Sequence, residues 1–297
     1  MPLGKLAARH PNPENRRSVG SSGRHRGGAG WCETGDVSDT GGVGGVDPGL
    51  VAIAAELSAL ARDADRRPFV VGLAGSVAVG KTTVARRLAE FLADTAPGVT
   101  TGDALRVEVV ATDSFLLPND QLGPLGGAMV KGYPQSYDWT ALQRFLAEAG
   151  AGSPVLSVPI YSHEEFDVVA GAQHVMSSPD VLIVEGLNLL QGPPAAPIDV
   201  TDHLHRTIYL DAPAPVIEDW FVQRFLATTH QEHTSPNSFY AAFDGMGDDE
   251  VESVARWTWQ EINAPNLHQH IAPTRDRADV VVHKAADHSI ERIQHRR

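Results

Sequence analysis

A glycine-rich turn between an apolar run and a helix start constrains this chain more than any other feature. The turn is Gly75-Ser76-Val77-Ala78-Val79-Gly80-Lys81-Thr82, and it follows the apolar run Phe69-Val70-Val71-Gly72-Leu73. Backbone N–H groups of such a turn curl around phosphates, and the helix start adds partial positive charge. Lys81 can reach the outer phosphates, and Thr82 can offer its hydroxyl to Mg2+. The pattern predicts a strand, a phosphate loop and a helix that hold a nucleoside triphosphate.

The composition fits one large globular domain or two modest ones. The chain has 297 residues, of which 42% are hydrophobic, and this is enough for a substantial core. No apolar run approaches the roughly 20 residues needed to cross a bilayer. The N-terminus also lacks the apolar segment of a secretory signal, so we expect a cytoplasmic protein without a membrane partner. A single cysteine, Cys32, argues against a disulfide framework or a Cys-rich zinc site.

Charge and composition separate a tail from the body of the chain. The formal net charge of -13 argues against a nucleic-acid-binding surface. Residues 1 to 48 are instead basic and rich in Gly, Ser and Pro, and we expect them to be disordered. An unstructured leader or an overextended translation start is favoured over a basic interaction arm. Residues 49–297 are predicted to form a single domain with a lead-in helix from Leu50 to Ala64.

Apolar runs alternate with amphipathic segments from Pro68 onward, which predicts an α/β domain with a mostly parallel sheet flanked by helices. The predicted strands are Phe69 to Leu73, Val107 to Ala111, Val155 to Ile160, Val181 to Val184, Thr207 to Leu210 and Val280 to His283. The predicted helices are Thr82 to Ala93, Thr140 to Ala149, Val216 to Ala227 and Glu250 to Ile262. Between Leu116 and Tyr137 many glycines and prolines forbid a long regular element. Since this loop follows a strand directly, we expect a substrate lid.

Polar groups follow three of the predicted strands: Asp113, Tyr161-Ser162-His163 and Glu185. In open α/β sheets ligands lie beyond the carboxyl ends of the strands, so these groups should converge near the phosphate loop. Phosphoryl transfer to an alcohol needs a carboxylate to accept the proton, a metal ion and cations to neutralise the γ-phosphate. Asp113, Glu185 and Lys81 fit these roles. A capping role for Asp113 is the less favoured alternative.

Arg224 is the third candidate cation. On the predicted helix after Leu210-Asp211 it shares a face with Phe221. This spacing suits a pocket wall, and it suits equally a surface arginine lying along a core stripe.

Taken together, these motifs are recognisable, and the chain resembles the type I bacterial pantothenate kinases, which have the P-loop kinase fold. The likeness spans roughly residues 68 to 297. It rests on the following segments: the phosphate loop, Thr112-Asp-Ser-Phe-Leu-Leu-Pro-Asn, Lys131-Gly-Tyr-Pro-Gln-Ser-Tyr-Asp, Pro159-Ile-Tyr-Ser-His, Glu185-Gly-Leu-Asn-Leu-Leu-Gln, Arg224-Phe-Leu, Ile262-Asn-Ala-Pro-Asn-Leu, Pro273-Thr-Arg and His288. The resemblance implies ATP-dependent phosphorylation of pantothenate, the first step of coenzyme A biosynthesis, with Mg2+.

The resemblance also implies roles for single residues. Asp113 would be the catalytic base, and Arg224 would steady the transferred phosphoryl group. The nucleotide side would comprise Gly75, Ser76, Val77, Ala78, Val79, Gly80, Lys81, Thr82, Thr83, Arg86 and His288, with Thr82 and Glu185 for the metal. The pantothenate side would comprise Lys131, Tyr161, His163, Phe166, Phe221, Arg224 and Asn266. Coenzyme A as a feedback inhibitor and a homodimer are further expectations.

Two departures from the family pattern lie on the acceptor side. Phe166 and Phe221 stand where the family has tyrosines, so two pocket hydroxyls are lost. A basic run before Lys131 is also replaced by Leu125-Gly126-Gly127-Ala128-Met129-Val130. These changes leave open a paralogous kinase for a pantothenate analogue, pantetheine or a nucleoside. A non-catalytic coenzyme A or ATP sensor is disfavoured, because Lys81, Thr82, Asp113 and Arg224 are all present.

Overall fold

The first helix begins where the described part of the chain begins. The computed structural model describes residues 47–65, 67–94, 104–192 and 199–296. The predicted disordered tail therefore lies outside the described residues, apart from its last two positions. Asp47 caps the helix, because its Oδ1 accepts a hydrogen bond from the Gly49 N–H at 2.8 Å. Its other oxygen accepts from the Ile290 N–H at 3.1 Å, which ties the lead-in helix to a C-terminal strand.

A six-stranded sheet forms the centre of the molecule, in the order β2-β5-β1-β6-β7-β8. The strands are β1 (Phe69–Gly75), β2 (Val107–Ala111), β5 (Val181–Gly186), β6 (Arg206–Asp211), β7 (Val280–Lys284) and β8 (Ile290–His295). All neighbours pair in parallel except β7 and β8. Every residue of β1 and β5 is buried, and successive side chains point to opposite faces. Both faces of the central strands are therefore covered, as is usual for a parallel sheet.

Among the residues that the structure describes, five helices are longer than two turns. They are α1 (Pro48–Asp63), α2 (Lys81–Leu92), α3 (Trp139–Gly150), α4 (Ala214–Thr229) and α5 (Asp248–Thr258). The apolar stripes of α1 to α4 share one core with the sheet, including Leu57, Leu88, Leu146 and Ile217, whereas α5 packs on α4 in a second cluster. The mostly parallel α/β architecture and all five helix predictions are confirmed, with ends shifted by a few residues.

One predicted helix end is wrong for an identifiable reason. The segment predicted to stop at Ile262 continues past α5 through two wide turns, Trp259–Asn263 and Leu267–Ile271. Pro265 lies between them and has no N–H to donate to the preceding turn. Wider turns accommodate such a missing donor, and they are frequent at functional sites.

The expectation that Val155 to Ile160 joins the central sheet is also wrong. This segment is β3 (Val155–Ser162), and it pairs antiparallel with β4 (Asp167–Ser177) in a separate two-stranded sheet. Buried and exposed residues alternate at the start of β3, because one face of the strand is buried there and the other is exposed. Leu156 and Val158 are buried, whereas Val155 is exposed. We call this unit the β3–β4 hairpin. Its turn carries Phe166, which has a left-handed backbone with φ 53.

The predicted lid segment contains only short helical turns, as its glycines and prolines require. Its ends meet in an isolated bridge between Leu116 and Tyr137, so the segment leaves and re-enters the body at one place. Within the described ranges, no helix has both the length and the apolar character that a bilayer crossing requires.

Candidate active site

The phosphate loop joins the end of β1 to the start of α2, as predicted. Gly80 precedes the helix with φ 91, a backbone conformation that favours glycine. Gly75 has φ 147, and a Cβ there would lie 2.7 Å from the Leu210 carbonyl oxygen. The two glycines therefore allow a tight turn against the neighbouring strand β6. The turn leaves the N–H groups at the start of α2 available to an anion.

The other predicted loop residues lie in or beside this turn. Ser76 and Val79 are buried, Val77 and Ala78 are half-buried, and Thr83 and Arg86 lie on the exposed side of α2. The Ser76 hydroxyl is fully buried without a hydrogen-bond partner among the described residues. It is therefore the loop side chain most in need of a partner that a bound nucleotide would provide.

Lys81 is folded back onto its own loop. Its Nζ donates a hydrogen bond to the Ser76 carbonyl oxygen at 2.9 Å. Burial lowers the pKa of Lys81, while Glu185 and Asp113 raise it and Arg224 lowers it. These influences place two carboxylates and a second cation within electrostatic range of one ammonium. Asp113 and Arg224, two of the predicted catalytic residues, therefore both interact electrostatically with the third, Lys81.

A glycine allows the carboxyl ends of β2 and β5 to approach each other. A Cβ on Gly186 would lie only 1.8 Å from the Thr112 hydroxyl oxygen. Thr112 and Asp113 begin a short turn directly after β2, while Glu185 occupies β5 beside Gly186. The turn that begins with Thr112 and Asp113 therefore packs closely against the end of β5.

Glu185 bonds directly to the first turn of α2. Its Oε1 accepts a hydrogen bond from the Thr82 hydroxyl at 2.6 Å. A carboxylate and a hydroxyl in contact at a helix start are oxygen ligands of the kind that Mg2+ prefers. Across the described ranges, no group of three or more His, Cys, Asp or Glu side chains is arranged to hold a metal. A site with few protein ligands is what Mg2+ needs when phosphates complete its coordination.

Lys131 joins the lid segment to the hairpin turn. Its Nζ donates to the Asn119 Oδ1 at 2.7 Å and also to the Phe166 carbonyl oxygen. The same Nζ lies 4.4 Å from the centre of the Phe166 ring and 5.4 Å from that of Tyr161. Burial lowers the pKa of Lys131 to about 8, against the opposing effects of Asp167 and Asp113. Lys131 is therefore a cation close to Asp113 whose charge is lost at moderately alkaline pH.

Three tyrosines lie around Asp113 and Arg224. Burial raises the pKa of Tyr137 and of Tyr161 well above 10, and Asp113 raises both further. Burial also raises the pKa of Tyr240, while Arg224 lowers it. All three therefore keep their hydroxyl protons at neutral pH and can donate to an acceptor. Tyr161 was predicted here from the sequence, whereas Tyr137 and Tyr240 were not.

The remaining predicted acceptor residues differ in position. Asn266 is buried, and its Nδ2 donates to the Gly132 carbonyl at 2.9 Å, beside Lys131. His163 is exposed and packs edge-on against Tyr161, with ring centres 5.1 Å apart. Phe166 pairs with Phe239 at 5.0 Å between ring centres.

Phe221 lies in a different environment. Its ring packs against Phe225 and Trp259, at 6.0 Å from each, in the seam between α4 and the wide turn after α5. Its inclusion in the acceptor pocket stays a prediction.

His288 is stacked on Trp220. The two ring centres lie 4.2 Å apart with 21° between the planes, and His288 has φ 67 in the β7–β8 turn. The Trp220 Nε1 donates to the Ala286 carbonyl at 3.0 Å, which fixes the stack. Lys284, which sequence reasoning missed, joins this wall with its Nζ 5.1 Å from the Trp220 ring centre. Its position at the carboxyl end of a parallel strand is the signal that could have identified it.

Comparison with known proteins agrees with this geometry. Residues 70–228, from β1 to the end of α4, match the Phosphoribulokinase / Uridine kinase family. The matched span includes the phosphate loop, Asp113, Glu185 and Arg224. The chain is therefore a P-loop kinase of that family.

Curated relatives narrow the assignment. The chain is 45% identical over 239 residues to a pantothenate kinase of Sorangium cellulosum, covering 80% of this chain and 76% of the relative. It is 40% identical over 238 residues to a pantothenate kinase of Limosilactobacillus reuteri, with the same two coverages of 80% and 76%. Within the P-loop kinases, the chain belongs to the pantothenate kinase family.

A solved structure supports the fold independently. D-glycerate 3-kinase from Cryptococcus neoformans superposes with a TM-score of 0.56, over 85% of this chain and 100% of that chain. The two sequences are 14% identical, so the likeness concerns the fold alone.

Proposed function

We propose that this protein transfers the γ-phosphoryl group of ATP to the primary hydroxyl of pantothenate, giving 4'-phosphopantothenate for coenzyme A biosynthesis. The single observation that carries the proposal is the electrostatic interaction of Lys81 in the phosphate loop with Asp113, Glu185 and Arg224. The identity of the acceptor is inferred from the relatives, which are pantothenate kinases.

Asp113 is the group that activates the acceptor in this proposal. Its carboxylate accepts the proton of the hydroxyl as the hydroxyl oxygen forms a bond to the γ-phosphorus and the bond to ADP breaks. Asp113 suits this role because it lies in a turn packed closely against β5 and is near enough to Lys81 of the phosphate loop to raise the pKa of that lysine. Proximity and orientation supply much of the catalysis when the reacting groups are held this way.

Lys81 and Arg224 compensate the negative charge of the transferred group. Lys81 now bonds to the Ser76 carbonyl, so it must turn from that oxygen to a phosphate oxygen when ATP enters. Arg224 is exposed on α4 and is near enough to Lys81 to lower its pKa. The two cations therefore approach the transferred phosphoryl group from different elements of the fold.

The residues fit a divalent ion bound with the nucleotide. Thr82 and Glu185 would hold Mg2+, because their side-chain oxygens already meet at 2.6 Å at the start of α2. Bound Mg2+ would supply charge neutralisation at the phosphates. Without the metal ion, the carboxylate of Glu185 would still orient the Thr82 hydroxyl through their hydrogen bond.

Lys131 is the feature of the acceptor side that favours pantothenate. Pantothenate is a carboxylate, and Lys131 provides an ammonium close to the proposed base. The three neutral tyrosines and Asn266 offer hydrogen bonds to the amide and hydroxyl groups of such an acceptor. Phe166 and Phe221 remain the departures from the family pattern in this region.

The Phe166–Phe239 pair favours a second candidate, a kinase whose acceptor is less polar at one end. Pantetheine is such an acceptor, since it carries an amide and thiol arm in place of the carboxylate. The deciding experiment measures ADP release with pantothenate, pantetheine or a nucleoside as sole acceptor and identifies the product by mass spectrometry. Pantothenate should give the highest kcat/KM. If it gives no release above the acceptor-free background while another acceptor is turned over, the pantothenate proposal fails.

Three further properties belong to the same proposal. Coenzyme A would act as a feedback inhibitor that competes with ATP, involving Arg86, His163 and the His288 side of the site. The protein would act as a homodimer in the cytoplasm. Competition of coenzyme A with ATP in initial-rate kinetics tests the first of these, and light scattering tests the second. Inhibition unaffected by the ATP concentration would overturn the competitive scheme, and a monomer mass would overturn the dimer.

A further inference from the structure

Lys284 is a buried lysine with no role in the steps above. It ends β7 and is 6% exposed. Its Nζ donates to the Val79 carbonyl oxygen at 2.9 Å, and the same atom lies over the Trp220 ring. Burying an ammonium is costly unless the surroundings compensate its charge. The fold therefore directs a buried positive charge onto one peptide of the phosphate loop.

The orientation of that peptide matters for phosphate binding. The Val79 carbonyl and the Gly80 N–H belong to one trans peptide group, so they point in opposite directions. Since the oxygen is held toward Lys284, the Gly80 N–H points away from Lys284. N–H groups that precede a helix start, as the Gly80 N–H does, are the ones that receive phosphate in such loops.

Gly80 leaves the space that Lys284 occupies. A Cβ at position 80 would lie 2.8 Å from the Lys284 Nζ, closer than ordinary contacts allow. The glycine therefore serves two purposes: it adopts φ 91, and it admits the ammonium behind the loop. Lys81 and Lys284 each hold one carbonyl of the same loop, Ser76 and Val79. Lys81 must release its carbonyl to reach phosphate, whereas Lys284 can keep its own.

We infer that Lys284 is a positioning residue for the triphosphate. It holds the Val79–Gly80 peptide so that an N–H, and not a carbonyl oxygen, faces the phosphates, and it adds positive charge behind the loop. Without the ammonium the peptide is free to turn its carbonyl dipole toward the anion. The inference rests on the proposed use of ATP, but it does not depend on the identity of the acceptor.

The test is nucleotide binding to the full chain without acceptor, measured by titration calorimetry for ATP, tripolyphosphate and AMP. In Lys284→Met we expect the dissociation constants of ATP and tripolyphosphate to rise by about tenfold or more, as for a lost hydrogen bond to a charged group. AMP carries the base and lacks the outer phosphates, so its affinity should change less than about twofold. Lys284→Arg keeps a charged donor and should retain most of the affinity.

Arg292→Met is the matched control. It removes one positive charge from β8, where Arg292 lies opposite His283, without touching the phosphate loop. Its ATP affinity should stay near that of the wild type. An equal loss in this variant would show a general charge effect and overturn the inference. An equal loss for AMP and tripolyphosphate in Lys284→Met would also overturn it, because the residue would then act through the Trp220–His288 stack.

Two further outcomes must be distinguished from the loss of a positioning role: misfolding of the variant and failure of the proposed kinase function. Thermal melting should give similar midpoints for both methionine variants. If Lys284→Met does not fold, Lys284→Gln carries the same comparison, with weaker tripolyphosphate binding expected and unchanged binding overturning the inference. If the wild type binds neither ATP nor tripolyphosphate, the proposed kinase function fails and not the role of Lys284 alone. If it binds both but does not phosphorylate pantothenate, only the proposed acceptor fails.

Discussion

Thr82 at the start of α2 donates a 2.6 Å hydrogen bond to Glu185 at the end of β5, which joins the phosphate loop to the neighbouring strand. In Glu185→Gln this contact persists as a neutral hydrogen bond, but the negative charge that favours Mg2+ is lost. We expect the Mg2+ concentration needed for half-maximal activity to rise by roughly 10- to 100-fold. Rates measured against free Mg2+ at saturating ATP check this.

Glu108→Gln serves as the control for that prediction. It removes a carboxylate from β2 that contacts His174 at 3.4 Å. Its Mg2+ dependence should match that of the wild type. A Glu185→Gln enzyme with an unchanged Mg2+ requirement would exclude Glu185 from the metal site.

Asp113→Asn should lower kcat on the order of 10²-fold or more, because it removes the proton acceptor and leaves the phosphate loop intact. The affinity for ATP should be retained. Single-turnover kinetics and ATP titrations check the two expectations separately. Asp120→Asn removes an exposed carboxylate from the lid segment, seven positions further along the chain, and should leave both quantities unchanged. Normal turnover in Asp113→Asn would remove Asp113 from the mechanism.

The acceptor kcat/KM should fall as the pH rises through about 8, the pKa to which burial lowers Lys131. Above this value the ammonium loses the charge that attracts a carboxylate. Lys131→Arg stays charged and should abolish this alkaline limb. A pH profile of kcat/KM for each protein checks the prediction, and an unshifted limb in Lys131→Arg would assign it to another group.

The same pKa shift predicts a change in stability, with the sign set by proton uptake. Between about pH 8 and 10.5 the unfolded chain holds a proton on Lys131 that the folded chain has lost. Stability from this residue should therefore rise with pH across that window. Denaturant unfolding of wild type and Lys131→Met should show the contribution only in the wild type. Identical pH dependence in the two proteins would contradict it.

Phe166→Tyr should lower the KM for pantothenate, because the ring at position 166 lies against the Lys131 ammonium. A recovered hydrogen bond of about 0.5 to 1.5 kcal/mol corresponds to roughly 2- to 13-fold. Phe221→Tyr places its hydroxyl in the seam with Trp259 and should change KM less. If the double variant does not improve pantothenate turnover, the two hydroxyls have no part in the choice of acceptor.

Gly186→Ala should destabilise the protein and lower its activity, because the new methyl group would overlap the Thr112 side chain. Overpacking of this kind costs about 1 to 3 kcal/mol. Gly123→Ala is the matched control, since nothing lies within 4 Å of a Cβ there. Chemical denaturation and initial rates measure both effects. Equal stability of the two variants would mean that Thr112 moves aside without cost.

The sequence was sufficient to predict the parallel sheet, the phosphate loop and the location of Asp113 and Glu185. These features follow from local patterns and from the rule that parallel strand ends share one edge. The pairing of β3 could not be predicted, because its alternation is the same whether the partner is the main sheet or a hairpin. β4 has no clear alternation, with Gly171 and exposed Gln173 and His174 in its course, so nothing marked the partner.

The role of Lys284 could not be predicted from the sequence for a different reason. Its hydrogen bond to Val79 joins residues that are 205 positions apart in the chain. A lysine at a strand end is ordinary in sequence, and only the folded chain shows which carbonyl it reaches. Tyr137 and Tyr240 were missed for the same reason, because their relation to Asp113 and Arg224 is purely spatial.

The β3–β4 hairpin shares no ladder with the central sheet, yet it carries Tyr161, His163 and Phe166. In the proposed site, part of the acceptor pocket therefore lies on a hairpin whose backbone is hydrogen-bonded separately from the sheet that carries the phosphate loop. We therefore expect substitutions in the hairpin to change which alcohol is accepted without altering the phosphate loop or the pairing of the strands around it. The acceptor range of this kinase can therefore be changed, in evolution or by design, by replacing the hairpin and keeping the nucleotide site.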